Sequence, residues 1–387
     1  MTAWHIVTGE YPPAPGGVSD YTYAVAGELA AAGDTVHVWC PAAASPPDPQ
    51  PGVIVHPIAG AWTPGDLHRI DGEMNAASDE RTLLLQWVPH AFGRKSMNVR
   101  FCRWIRRRAK AGDRLEIMVH EPGLAFREGK LRHDVMAAVH RLMLTILLSG
   151  AHRIWTAIPA WVDSLRPWLL GRNDLAFCWL PVPSTLPVAD APDAVRRFRE
   201  TKLTKADGVI IGHFGTYQPA IRRTLAELLP RLLAAVPDAH VELLGRGGEA
   251  LAEEVRARVG GQGTRVTASG ELDARSLSQR LQACDLLVQP YPDGVSTRRT
   301  TLMAALAHGV PVVTTYGRLS EGVWRDSDAI ATVRAGDVEG MTQLVAALAR
   351  DPRRRAAMAA SARAAYEARF DIRHVIHALR TGECATC

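Results

Sequence analysis

"QPYPDGVSTRRTTLMAALAHGVPVVTT", residues 289–315, runs from a polar turn through two adjacent arginines into an apolar stretch that stops at Gly309 before a strand of Val and Thr. A loop, a short apolar helix and a β-branched strand make one step of a parallel α/β layer. The pattern predicts a helix beginning after Gly294, with Ser296 and Thr297 as caps. Free backbone N–H groups around Gly294, Val295, Ser296 and Thr297 and the positive end of the helix dipole would then meet Arg298 and Arg299 in one turn. Diphosphate oxygens match amides and guanidinium groups together. The plainer reading of the same stretch is a capped surface helix with solvated arginines.

The surrounding chain repeats this grammar. Its start reads as strand "AWHIV", loop "TGEYPPAPGG", helix "SDYTYAVAGELAAAG" and strand "TVHVWC", and the order recurs from residue 208 with "GVIIGHFG", "TYQPAI", "RRTLAELLPRLLAAVP" and "AHVELLG". Right-handed crossovers make both sheets parallel. The expected fold class is therefore α/β, with two doubly wound Rossmann-like domains facing an interdomain cleft, since ligands bind beyond the carboxyl ends of such strands. The expected boundaries are 1–183 for the first domain, 184–205 for a Pro- and charge-rich linker, 206–365 for the second domain, and 366–387 for a helix crossing back to the first, plus a tail.

Length and composition agree with two domains: 387 residues, 47% hydrophobic and 22% charged. A net charge of +5 suits anionic small ligands and is too weak for a nucleic-acid binder. No secretory leader and no long uncharged apolar run is evident, which predicts a cytoplasmic protein. The basic stretch "RFCRWIRRRAKAG", residues 100–112, offers peripheral contact with the inner face of a membrane, or is a solvated outer helix. Six cysteines in mostly apolar settings read as reduced thiols. The terminal "CATC", Cys384 to Cys387, with His374 and His377 upstream, has zinc-like spacing, but a frayed tail is the reading adopted. "DSD", Asp326 to Asp328, reads as a solvated loop, so no metal site and no cofactor is expected. His90, Arg94 and Lys95 follow a buried strand and are placed on the acceptor side by position.

The 289–315 stretch resembles the donor-site signature of the retaining GT-B glycosyltransferases, in particular the large glycogen-synthase-like family (glycosyltransferase family 4-like). Asp293 matches the first acid of that signature, Gly294 the turn, and "MAALAHGVPVV" the helix and strand, whereas Thr301 stands where a second glutamate belongs. "EYPPAPGGVSDYTYAVAGELAAAGDTVHVW" resembles the family's opening, with Gly16 and Gly17 as the paired glycines that approach the donor. "MVHE" resembles the strand ending in a histidine that faces the transferred sugar, here His120. "HFGTYQPAIRR" corresponds to the start of the second domain, with Gly215 in its turn and Arg222 or Arg223 in place of the usual arginine and lysine. The resemblance implies a UDP- or GDP-linked sugar donor, an acceptor that is a glycan, lipid-linked or a small metabolite, retention of configuration, and no metal. It also implies His120 and Asp293 as catalytic, with the diphosphate held by the glycines, arginines and hydroxyls named above. A catalytically silent GT-B subunit is the alternative, suggested by the missing second acid and lysine.

Overall fold

The computed structural model describes residues 2–384 apart from 78–79, 94–95, 127–128 and 206. Arg94, Lys95 and Cys387 therefore lie outside the described residues. The chain forms two compact units, Met1–Val182 with Ile372–Cys387, and Pro183–Asp371.

In chain order the first unit contains β1 (Ala3–Val7), α1 (Gly17–Ala31), β2 (Thr35–Pro41), β3 (Val53–Ile58), α2 (Pro64–Ala77), β4 (Thr82–Trp87), α3 (Val99–Lys110), β5 (Arg114–Val119), α4 (Leu131–Leu148), β6 (Arg153–Thr156), α5 (Ala160–Leu165) and β7 (Ala176–Trp179). Its strands pair in the order β3-β2-β1-β4-β5-β6-β7, all in parallel. Every residue of β4, "TLLLQW", is buried, as expected for a strand covered on both faces. Leu83, Leu85, Leu115 and Ile117 meet α2, α3 and α4 on one face, while Ile6, Val36 and Val38 meet α1 on the other.

The second unit contains α6 (Pro192–Lys202), β8 (Val209–Phe214), α7 (Pro219–Ala235), β9 (Ala239–Leu244), α8 (Gly248–Val259), β10 (Val266–Gly270), α9 (Ala274–Ala283), β11 (Leu286–Gln289), α10 (Thr300–Ala307), β12 (Val312–Tyr316), β13 (Ile330–Arg334), α11 (Val338–Ala349) and α12 (Pro352–Ala365). Its sheet runs β10-β9-β8-β11-β12-β13, again all parallel. The last helix, α13 (Ile372–Thr381), belongs to the first unit. Its Val375, Ile376 and Leu379 join Val25, Ala26 and Leu29 of α1, and Arg380 pairs with buried Asp34 at 3.0 Å.

Two expectations change here. The segment expected as a linker is part of the second unit, because α6 is held rather than free: Arg199 binds Ala283 O and Asp285 Oδ2 at 2.6 and 2.8 Å, and Arg280 lies over the Phe198 ring at 3.6 Å. The cysteines are not all reduced either. The return of α13 brings Cys384 to β7, where it forms a disulfide with Cys178 across 206 residues of sequence; Cys40, Cys102 and Cys284 are buried free thiols.

Candidate donor site at the carboxyl edge of the second sheet

The strand order of the second sheet reverses between β8 and β11, so the loops leaving these two strands diverge and leave a crevice at their carboxyl ends. Gly215 ends β8 at φ +152, and a side chain there would point between the Thr301 methyl and Nε2 of His213. Thr301 Oγ1 is hydrogen-bonded to the Tyr291 hydroxyl at 2.8 Å, and the Arg299 guanidinium lies over the Tyr291 ring at 4.7 Å. Gly215, Tyr291, Arg299 and Thr301 are thus drawn together at the crevice.

The loop from 290 to 299 is built differently from the sequence expectation. The helix starts at Thr300, with Arg299 in the cap position and no side-chain cap. Ser296 and Thr297 are fully buried. Val295 N donates to Thr315 O at 2.7 Å, Gly294 N to Tyr291 O at 3.1 Å, and Arg299 N to Ser296 O at 3.1 Å. Thr297 donates from both N and Oγ1 to Glu321 Oε1, at 2.9 and 2.6 Å, and Trp324 Nε1 donates to Glu321 Oε2 at 2.8 Å. The amides of Gly294, Val295 and Thr297 are therefore spent on the protein, and the first turn of α10, beside Arg299, is left without a side-chain cap. Burial pushes the Glu321 carboxyl above its ordinary range, against the pull of its hydrogen bonds.

Gly294 is required where it stands. Its φ is +90, and a Cβ there would run into Gly317 N, while one on Gly317 would meet Asp293 O. The loops after β11 and β12 touch backbone to backbone, and Leu319 N donates to Asp293 O at 3.0 Å. Asp293 itself faces cations: Oδ1 accepts from Arg318 at 2.6 Å, and Oδ2 lies 3.7 Å from Arg298. Arg222 is committed to Glu254 of α8 through two contacts of 3.2 and 3.1 Å, and Arg223 is exposed. Arg222 is thus not an unpaired diphosphate cation.

Sequence reasoning missed three residues of this edge. His213 Nδ1 donates to Val288 O at 2.8 Å, which leaves Nε2 as a bare, buried acceptor; burial lowers the ring's pKa to about 4, so it is neutral. Gln289 donates to Phe214 O at 2.9 Å and leaves Oε1 unpartnered. A histidine and a glutamine inside otherwise apolar strands were the available signal. Glu321 had none, lying 24 residues from Thr297.

In the first unit His120 follows β5. Its Nε2 is 2.8 Å from Gln86 Oε1, the Tyr21 ring stands edge-on at 5.0 Å, and burial lowers its pKa to about 3. Gly16 is extended at φ 174 and packs against Glu10, whose Oε1 accepts from Val18 N and Ser19 N, both at 3.1 Å. Gly17 opens α1 with free space beside it. The helix start next to the paired glycines is thus already occupied by the chain's own carboxylate. His90 is exposed on a 3-10 turn, 3.2 Å from Ser96 Oγ. Asp326 and Asp328 are exposed, and among the described residues no cluster of three or more His, Cys, Asp or Glu side chains is arranged to hold a metal.

Two parallel-sheet Rossmann-like units with these strand orders constitute the GT-B fold. Solved structures of this fold superpose over nearly the whole chain. Sucrose-phosphate synthase from Thermosynechococcus elongatus matches with a TM-score of 0.71 at 16% identity, covering 99% of this chain and 98% of its own. Anabaena Alr3699/HepE in complex with UDP-glucose matches with a TM-score of 0.68 at 14% identity, covering 99% of each. Residues 207–351, the core of the second unit, match the family model described as "Glycosyl transferases group 1". A phosphatidyl-myo-inositol mannosyltransferase of Mycolicibacterium smegmatis is 28% identical over 218 residues, 51% of this chain and 54% of the relative. The chain spans about half the length of the curated relatives it matches.

Proposed function

We propose that the protein is a glycosyltransferase that moves a sugar from a UDP- or GDP-linked donor to an acceptor hydroxyl with retention of configuration. The observation that carries this reading is Arg299: it caps α10 without an acidic partner, stacks on Tyr291, and keeps a buried Nε with no hydrogen-bond partner, at the crevice where the strand order reverses. A departing diphosphate is stabilised there by fixed guanidinium charge and helix-start amides, which cost no reorganisation as charge develops. Arg298 adds charge from the same loop, and Asp293, held between Arg298 and Arg318, is placed to release one cation to the phosphate while its carboxylate turns to donor hydroxyls. His120, neutral and fixed by Gln86, supplies a hydrogen-bonding group to the sugar. The phosphate leaving group takes the acceptor proton on the face it departs from, so no second carboxylate is needed, and no metal is required.

The family match over 207–351 and the UDP-glucose complex of a fold relative support a nucleotide-sugar donor. The mannosyltransferase relative keeps a lipid-linked acceptor in view beside glycans and small metabolites, and the cationic α3 surface suits a peripheral, inner-face location. The test is release of nucleoside diphosphate from a panel of UDP- and GDP-sugars, with and without EDTA. Slow, EDTA-resistant release from one donor, lost in Arg299→Ala, is expected. Release from none, together with no thermal shift by UDP or GDP, overturns the reading.

A further inference from the structure

Helix α4 presents a face that its neighbours do not explain. Leu131, Val135, Ala138 and Leu142 recur at i, i+4, i+7 and i+11, which places them in one line along the helix. The opposite side, with Met143, Leu144, Leu147 and Leu148, is buried against the sheet. The outer line is exposed: Leu131 at 79%, Val135 at 53% and Leu142 at 48%, with Phe126 at 57% just before the helix. A surface helix ordinarily turns polar residues outward, and a continuous apolar line there marks a contact surface.

Helix α3 packs beside α4 on the same face of the sheet, so the outer sides of the two helices look the same way. The exposed residues of α3 are Arg100, Arg103, Arg107 and Lys110, with no acid anywhere on the helix. Together α3 and α4 carry eight Arg and Lys against one acid, Asp134. That surplus of seven exceeds the +5 of the whole chain, so the remainder is net acidic. The protein's basic excess is concentrated in one helical layer, next to its exposed apolar line.

We propose that this layer docks on an anionic lipid bilayer, with the α4 line seated among the acyl chains and the α3 cations at the lipid phosphates. Charge decides between occupants. A second copy of the chain would set the same positive layer against itself, and like charges face to face oppose association. A bilayer offers apolar depth and negative charge in one surface. Among the described residues no helix is long and apolar enough to cross a membrane, so the contact is one of surface docking. The inference stands apart from the donor site, which lies in the other unit.

The experiment is co-sedimentation of the full chain with phosphatidylcholine vesicles, with and without 30 mol% phosphatidylglycerol. Binding to the anionic vesicles only, weakening at least tenfold between low and 0.5 M salt, is expected. The triple substitution Leu131→Glu, Val135→Glu and Leu142→Glu should abolish it, and Leu131→Glu alone, at the most exposed position, should weaken it several-fold at an unchanged melting temperature. Val188→Glu, at an exposed apolar position of the second unit, should leave it intact. Vesicle-free donor hydrolysis should be the same in all variants, which separates failure of docking from failure of the proposed activity. Absence of vesicle binding, binding of undiminished affinity in the Leu131→Glu variant, or a dimer in light scattering that the α4 substitutions dissolve would each overturn the proposal.

Discussion

The carboxyl edges of the two sheets begin from the same geometry and end in opposite chemistry. Both sheets reverse order beside their first strand, β1 next to β4 and β8 next to β11. At the first edge Gly9 lies against Ala91, and at the second Gly215 lies against Thr301. In the first unit the following helix start is filled by Glu10, through Val18 N and Ser19 N. In the second, α10 starts without a side-chain cap beside an arginine. A helix start favours an anion; the first unit supplies its own, and in the second no side chain caps the start. Two similar folds are therefore made unequal by a single carboxylate.

The sharpest way to break this comparison is through glycines. Gly294→Ala forces a side chain onto a left-handed backbone and into Gly317, so a loss of about 3 kcal/mol or more in unfolding free energy is expected from denaturant melts. Gly17→Ala, at the opening of α1 with open space around it, should change stability by less than about 0.5 kcal/mol. Equal effects at the two positions would show that the loop after β11 is no more constrained than the loop after β1.

Charge gives the next effect. Arg299→Ala should weaken nucleoside-diphosphate binding by about 1.5 to 3 kcal/mol, roughly ten- to hundredfold, in calorimetry. Glu10→Gln should leave that affinity unchanged while costing about 0.5 to 1 kcal/mol of stability, as loss of a charged helix cap does. If nucleotide affinity instead responds to Glu10, the two edges have exchanged roles.

The smallest effect is shared by both units. His120 and His213 are buried with pKa values lowered to about 3 and about 4. Below the unfolded value of 6.5 the unfolded chain binds more protons than the folded one, so the stability these rings allow is complete above about pH 6.5 and is lost as pH falls toward 4. At pH 5.5 each contributes a loss of about 1.4 kcal/mol. Melting temperatures flat from pH 7 to 8 and falling below about pH 6.5 are expected.

The architecture was legible because it rests on local periods. Alternating apolar strands and helices separated by Gly and Pro turns carry their meaning within ten or fifteen residues, and both sheets follow from them. The local structure of the loop after β11 was legible only in part. Ser and Thr before an apolar run read as caps, yet Ser296 and Thr297 are buried because Glu321, brought in by the loop after β12, claims the Thr297 amide and hydroxyl. Asp293 read as an open carboxylate, and Arg318, 25 residues on, turned it into an ion pair. Arg222 read as an open cation until α8 supplied Glu254. In each case the local signal was correct about residue type, and a partner distant in sequence decided what the residue faces.

The route of α13 has a consequence for the order in which the molecule can be made. The second unit, Pro183–Asp371, is a continuous stretch and can close as soon as it has left the ribosome. The first unit is begun earlier but keeps part of its apolar face, around Val25 and Leu29, open until Val375, Ile376 and Leu379 have been synthesised. During synthesis the half that appears first is the half that finishes last. For nearly two hundred residues of translation it presents an incomplete surface, the interval in which a chaperone has something to hold.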